Sequence, residues 1–152
     1  MSLLFALLLT GNRTAIGVYD AWGAFRDARP PRCYAISAAV GARSGGPKPF
    51  ASVAARFGST RRAALFVRLS TARDVAAPVT LAIGERRFAL AGNARAAWAP
   101  DAATDRAIVA AMRGGRSMSV SGVSTRGRPF ADSYALGGAA TAIDAAVLGC
   151  AR

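Results

Sequence analysis

Serine is the side chain in this sequence that could most readily act as a nucleophile, but no residue stands ready to activate it. Histidine is absent, so a serine–histidine pair of the hydrolase type cannot form. The other common activator is a lysine placed three residues after the serine. Lys48 is the single lysine, and it follows Ser44 by four residues. The sequence therefore predicts no nucleophilic catalysis.

Paired carboxylates could do acid–base chemistry instead, as in glycoside hydrolases. Asp101 and Asp105 are neighbours in the sequence, but they stand at the start of a predicted helix, where capping and the helix dipole account for both. Asp132 and Asp144 have no visible partner. We therefore expect a protein that is not an enzyme.

No motif for a cofactor or a metal is present either. The glycine pairs at 114–115 and 137–138 suit the end and the start of helices rather than a loop that cradles phosphate. The two cysteines, Cys33 and Cys150, provide two thiols without any imidazole, which does not fill a tetrahedral zinc site. We expect neither a cofactor nor a metal.

Cys33 and Cys150 are instead predicted to form a disulfide, because two cysteines in an exported protein usually pair. The bond would close a loop of more than 100 residues. In the chain-entropy model a loop of that length stabilises by about 4 to 5 kcal/mol. The alternative is a pair of unrelated buried thiols.

The expectation of export also comes from the first residues of the chain. The apolar run Leu3–Leu9 is too short to span a bilayer but has the length of the core of a secretory signal. Ala15 and Gly17 are small residues at the positions that a signal peptidase reads. We predict a signal peptide over residues 1–17, cleaved before Val18, and a single domain over 18–152. The alternative is an N-terminal buried strand.

The chain is strongly basic, with a formal net charge of +12. Such a charge favours anionic partners, although arginine-rich composition alone could produce it. The arginines are dispersed in pairs, as at Arg126 and Arg128, and no aromatic–basic alternation of the RNA-binding kind occurs. Specific binding of nucleic acid is therefore not expected. Arg126 and Arg128, at a predicted hairpin tip, are the candidate contacts for a partner.

Most of the chain has the alternation of β-strands. Pro78–Ile83 and Arg86–Leu90 flank Gly84-Glu85 and indicate a tight hairpin. Further strands are predicted at 21–26, 32–38, 50–57, 64–69, 118–125, with a bulge at Gly122, and 128–136, and a turn at 27–31. The large apolar residues should form the core, and we favour core packing over a binding platform for both Trp22 and Trp98.

Two segments change to a helical period. Asp101 can cap a helix over about 101–114, and a last helix is predicted over about 138–150 with Ala140, Ile143, Val147 and Cys150 on one face. The predicted fold is mainly β, an antiparallel β-sandwich or flattened barrel with these two short α-helices.

From Trp98 onward the sequence resembles the invasion-associated locus B family of Gram-negative bacteria. The segments that carry the resemblance are Trp98–Gly115, Met118–Leu136, the closing helix to Cys150, and the short words Trp22-Gly23 and Cys33-Tyr34. The middle, Gly41–Leu81, departs from the family pattern. The resemblance implies an exported, periplasmic or envelope-associated protein with a β-rich fold, and it brings no catalytic residues with it.

Together these observations predict a non-enzymatic envelope or periplasmic protein that binds a protein partner or an envelope component. The family name also raises a link to host interaction. The alternative is a basic domain that binds polyanions, such as anionic lipid, glycan or nucleic acid, without specificity. Peripheral association with a membrane surface is compatible with the charge, and the oligomeric state stays open.

Overall fold

The computed structural model describes residues 12–41, 48–55 and 63–151. Ten strands and two helices lie within these residues. In chain order they are β1 (Arg13–Tyr19), β2 (Trp22–Ala28), β3 (Pro31–Ala38), β4 (Phe50–Ala55), β5 (Ala63–Arg68), β6 (Val79–Ile83), β7 (Arg86–Gly92), β8 (Ala96–Trp98), α1 (Ala102–Gly114), β9 (Ser117–Val123), β10 (Pro129–Ala135) and α2 (Ala139–Gly149).

The strands form one antiparallel sheet in the order β1-β2-β3-β4-β5-β8-β7-β6-β9-β10. The sheet is strongly curled, so its far end returns toward its beginning. Trp22 Nε1 on β2 donates to the carbonyl of Ala135 on β10 at 2.8 Å, and the Val40 amide donates to the carbonyl of Ser133 at 2.7 Å. The predicted class, a mainly β fold of the antiparallel sandwich or flattened-barrel kind with two helices, is confirmed.

The core lies between the inner face of this curled sheet and the two helices. The period-2 prediction for β5 is confirmed, since Leu65, Val67 and Leu69 are all buried. Trp22 is fully buried as well. Helix α2 lies across β1 to β4, whereas α1 packs on β5 and β7. Neither helix in the described residues is long and apolar enough to span a bilayer.

Both helices begin where the sequence predicts. Asp101 caps α1 by accepting a hydrogen bond from the Thr104 amide at 2.7 Å. In α2 the buried face is different from the predicted one. It consists of Ala139, Ala142, Ile143 and Ala146 together with Cys150, while Ala140 and Val147 are only half-buried. A row of alanines lets this helix lie close to the sheet.

Two local predictions are wrong. Gly122 is not a bulge, because β9 and β10 pair in continuous register through Gly122 and Phe130. A Cβ at Gly122 would lie 3.1 Å from the Phe130 ring, so the glycine makes room for that ring. The predicted turn at 27–31 is shorter, since pairing of β2 and β3 extends to Ala28 and Pro31 and leaves only Arg29-Pro30 between them.

The predicted disulfide is confirmed. Cys33 on β3 and Cys150 at the end of α2 are bonded, with their Cα atoms 5.8 Å apart and a sequence separation of 117. Both cysteines are fully buried. The bond therefore fixes the last helix against the third strand, inside the core.

The predicted leader falls partly outside the described residues, which begin at 12, and the strand predicted at 50–57 is described only to Ala55. Arg13–Tyr19 form β1, an edge strand paired with β2 and mostly exposed. The proposed cleavage point before Val18 lies inside this strand. Cleavage there would remove most of β1, and it stays a prediction.

Replacing both cysteines by alanine should lower the free energy of unfolding by about 3 to 5 kcal/mol, because the unfolded chain regains the freedom of a long loop. Urea denaturation of the wild type and of the Cys33→Ala/Cys150→Ala variant measures the difference. Reductant should destabilise the wild type and leave the variant unchanged. Equal stability of the two oxidised proteins would contradict the structural role of the bond.

Candidate functional site

The first five strands and β8 present one face to the core and the opposite face to the outside. Along β3, Cys33, Ala35 and Ser37 point inward and are buried, so Arg32, Tyr34 and Ile36 lie on the other face. Both helices occupy the inner side. Within the described residues the outer side carries an open groove of about 480 Å³ across β1, β3, β4 and β5, which we call the outer groove.

One end of the outer groove is built around Asp27 of β2. Asp27 stands directly opposite Arg13 of β1 and Arg32 of β3, because β2 lies between these two strands. Arg13 Nε donates to Oδ1 of Asp27 at 2.9 Å, and Arg32 Nε donates to Oδ2 at 3.0 Å. The Tyr34 hydroxyl donates to Oδ1 at 3.3 Å. Opposite charges thus meet as cross-strand neighbours.

The carboxylate is buried, and the two guanidinium groups reach the surface. Asp27 is 6% exposed, whereas the side chains of Arg13 and Arg32 are 61% and 52% exposed. Both guanidinium groups also lie over the Tyr34 ring, at 5.7 and 5.1 Å from its centre. Phe25 stacks on the same ring at 5.9 Å. We call Arg13, Asp27, Arg32 and Tyr34 the arginine cluster.

The electrostatics of the cluster keep the Asp27 carboxylate ionised and the Tyr34 hydroxyl protonated. The hydrogen bond from Arg13 lowers the pKa of Asp27, against the opposing effect of burial, and Arg32 lowers it further. Burial and the neighbouring Asp27 charge raise the pKa of Tyr34, so its hydroxyl stays protonated and can donate. With two guanidinium groups and one carboxylate, the cluster carries net positive charge at neutral pH.

Arg32 keeps donor capacity for a ligand. It holds Asp27 through Nε, and its two terminal nitrogens make no hydrogen bond to any described residue. A guanidinium group held in this way can offer a planar fork of N–H groups to a carboxylate or phosphate. Arg13 uses Nε and Nη2 on Asp27, the latter at 3.4 Å. The cluster can therefore bind an anion without losing its own ion pairs.

The other end of the outer groove is apolar. Its surface comes from Ile36, Phe50 and Phe66, with the Phe50 and Phe66 rings 6.0 Å apart. Trp98 on β8 is paired with Phe66 and extends the aromatic surface. Phe66 and Trp98 are 38% and 37% exposed. The prediction of core packing is confirmed for Trp22 and wrong for Trp98, because β8 turns that side chain to the outer face.

A second depression, of about 610 Å³, adjoins the arginine cluster on the side of β1 and β2. It shares Arg13 and Arg32 with the outer groove and adds Phe25, Arg29 and Asn12 to the surface. The two guanidinium groups therefore stand between two depressions, and each depression contains at least one aromatic ring.

The arginines predicted from the sequence lie elsewhere. Arg126 and Arg128 are exposed in the turn between β9 and β10, at the opposite end of the strand order from the arginine cluster. Their backbone amides donate to Ser124 Oγ at 3.3 and 3.2 Å, and Gly127 between them has a φ of +75°. The turn is thus well ordered by its backbone, and the role of its arginines as partner contacts stays a prediction.

The carboxylates considered for catalysis have structural partners. Asp105 accepts a hydrogen bond from the Leu65 amide at 2.9 Å, which ties α1 to β5, and burial raises its pKa. Asp132 is buried and accepts from the Ser70 amide at 2.9 Å. Asp144 pairs with Arg113 at 2.6 Å between the two helices. The described residues contain no acidic or cysteine cluster that could hold a metal ion.

Sequence reasoning missed the arginine cluster because it assigned Asp27 to a turn. Extending the two flanking strands by two residues would have placed Asp27 opposite Arg32. The position of Arg13 was hidden for a different reason, since that residue falls in the predicted leader. No local pattern indicates that these three charges meet.

Asp27→Asn should lower the free energy of unfolding by about 1 to 2 kcal/mol at neutral pH, since charged hydrogen bonds to two partly exposed arginines are lost. The lowered pKa of Asp27 means that its contribution is complete above its ordinary pKa, about 3.9, and disappears as the pH falls through the lower folded value. Urea denaturation between pH 7 and pH 2 should therefore show the two proteins converging in acid.

The matched control is Glu85→Gln, an exposed carboxylate in the β6–β7 turn, which should change stability little at any pH. A difference between wild type and Asp27→Asn that persists unchanged at the acid end would show that the loss is not electrostatic.

Comparison with known proteins agrees with this architecture. The structure is similar to the crystal structure of invasion associated protein B from Bartonella henselae, with a TM-score of 0.64, 16% sequence identity, and coverage of 85% of this chain and 92% of that one. No curated protein matches the sequence significantly. The family model described as invasion associated locus B (IalB) protein matches residues 25–147. The chain therefore belongs to the IalB family.

Proposed function

We propose that this protein is exported to the cell envelope or periplasm and binds an anionic envelope component through the outer groove, without catalysing a reaction. One observation carries the proposal: a buried carboxylate, Asp27, holds Arg13 and Arg32 on a sheet face that no described residue covers. After pairing with that carboxylate, both arginine side chains stay more than half exposed, so a ligand can reach them.

The disulfide and the family support the export part of the proposal. Disulfides form and persist in oxidising compartments and are rare in the cytosol. The Cys33–Cys150 bond joins two fully buried cysteines between α2 and β3. The packed core of the native structure therefore contains this disulfide. Membership of a family named for invasion is compatible with a place in the envelope.

A non-enzymatic role is favoured by the way the acidic side chains are used. A catalytic carboxylate needs an oxygen within hydrogen-bond reach of the substrate. Asp27, Asp105 and Asp132 instead accept hydrogen bonds from backbone amides or arginines. The chain has no histidine to act as a base at neutral pH.

A second candidate function is recognition of a protein partner by the β9–β10 turn. The observation that favours it is the fixed backbone of that turn, where Ser124 Oγ accepts from two amides and presents Arg126 and Arg128 at the surface. A preorganised loop loses less entropy on binding than a flexible one. Nonspecific attraction of polyanions to the whole basic surface is the third alternative.

The intact mass of the protein recovered from the envelope fraction tests export. We expect a mass that lacks residues upstream of Arg13 and that gains two alkyl groups only after reduction, because the arginine cluster needs Arg13 in the mature chain. Cleavage before Val18 would instead remove Arg13 and most of β1, and would contradict the two-arginine binding surface. Recovery of the full-length, fully reduced chain from the cytosol would contradict the proposal.

Retention on heparin and binding to anionic vesicles, each measured at low and moderate salt, test the binding surface. Arg13→Gln/Arg32→Gln should weaken binding about tenfold or more, because charge-assisted fork contacts are lost. Arg126→Gln/Arg128→Gln removes the same charge from the far end of the strand order and serves as the matched control. Equal, small losses in both would indicate nonspecific attraction, which falls steeply with salt.

A pull-down from envelope extract with the same two double variants addresses the protein-partner candidate. Loss of a captured protein only with Arg126→Gln/Arg128→Gln would favour the turn over the outer groove. An unchanged set of captured proteins would discard the turn as a contact.

A further inference from the structure

We propose that the ligand of this surface is an acidic glycan, a chain of sugar rings that carries carboxylate groups. The inference rests on the proposed function and names its ligand. The juxtaposition behind it is a pair of arginines between two depressions, with Phe25 on one side and Ile36, Phe50 and Phe66 on the other.

The shape of the surface favours a chain over a compact molecule. The depressions of about 480 and 610 Å³ are each large enough for a small ligand, and they meet at Arg13 and Arg32. A ligand that occupies both must be elongated and must cross the guanidinium groups near its middle. It therefore needs an anionic group there and units that can pack against aromatic rings on either side.

Sugar rings meet the demands of those flanking positions. A pyranose has a face of C–H groups, which packs against the negative face of an aromatic ring, and a rim of hydroxyls that prefers polar surroundings. Phe66 and Trp98 are partly exposed, so their aromatic rings are accessible to a sugar ring. Ser52, between Ile36 and Phe66 in the cross-strand register, places a hydroxyl in the same floor.

The arginine cluster suits the acidic part of such a chain. A carboxylate on a sugar is planar and matches the fork of a guanidinium group. Arg32 has its terminal nitrogens available within the described structure, and Asp27 fixes the direction of the side chain in advance. A site fixed before binding needs little reorganisation, which allows specificity beyond that of a merely basic surface.

An acyl lipid fits this surface less well. Acyl chains need an enclosed apolar cavity, whereas the apolar part of the outer groove is an open strip bordered by arginines. Single-stranded nucleic acid shares the combination of stacking and charge. The location outside the cytosol that the disulfide supports makes glycans the more available polymer.

The test is titration calorimetry of the full chain with four probes: hexagalacturonate, neutral maltohexaose, phosphatidylglycerol vesicles and hexathymidylate. We expect hexagalacturonate to bind at least tenfold more tightly than the other three. Arg32→Gln should weaken it about tenfold and Phe66→Ala about fivefold, as lost fork and stacking contacts imply. Thermal unfolding of each variant establishes that it is folded.

Two exposed substitutions outside the site are the matched controls. Arg87→Gln on β7 removes one charge, and Leu148→Ala on α2 removes one exposed apolar side chain. Neither should change the affinity for hexagalacturonate more than twofold. Because Phe66 is exposed, its loss leaves the core intact, so the stacking contribution is measurable even if Arg32→Gln does not fold.

The outcomes separate this inference from the proposed function. Vesicles or hexathymidylate binding more tightly than hexagalacturonate, with dependence on Arg32, would overturn the glycan and leave an anionic ligand of the outer groove. Equal binding of the neutral and acidic sugars would also overturn it. Absence of any Arg32-dependent binding would overturn both proposals.

Discussion

The bond between Cys33 and Cys150 holds the last helix against the third strand, and the division of the sheet into two faces depends on that contact. A β-strand presents alternate side chains to its two sides, so once α2 is fixed over Cys33 and Ala35, their neighbours Arg32, Tyr34 and Ile36 must face away. The alanine-rich face of α2 allows a close approach. The helix and the disulfide thus close the core and, by the same geometry, leave the outer face for another use.

The outer face is organised by charge at one end and by aromatic rings at the other. Asp27 is buried beneath two arginines, a placement that would be costly for an unpaired carboxylate. Hydrogen bonds from Arg13 and Arg32 offset that cost and lower the pKa of Asp27. The arginines are consequently held in place by the fold itself. Within the part of the chain that the structure describes, both arginine side chains stay more than half exposed.

The two basic regions of the protein differ in their construction. At the β9–β10 turn, backbone hydrogen bonds to Ser124 fix the chain, but no carboxylate among the described residues forms an ion pair with Arg126 or Arg128. In the arginine cluster the side chains themselves are fixed, by Asp27 and by the Tyr34 ring. Side chains fixed in advance lose less entropy when they bind an anion. This difference is the physical reason for placing the ligand at the outer groove rather than at the turn.

The sequence by itself determined the features that depend on short-range patterns. Alternation located β5 and the β6–β7 hairpin, Asp101 marked the start of α1, and the two cysteines indicated their own pairing. Features that depend on register were decided only in the tertiary structure. Asp27 meets Arg13 and Arg32 because the turn at Arg29-Pro30 is short enough for the strands to pair up to it. The orientation of Trp98 could not be predicted, because a three-residue strand is too short for its alternation to show which side is buried. Trp98 faces outward because it pairs with Phe66, whose side chain lies on the outer face.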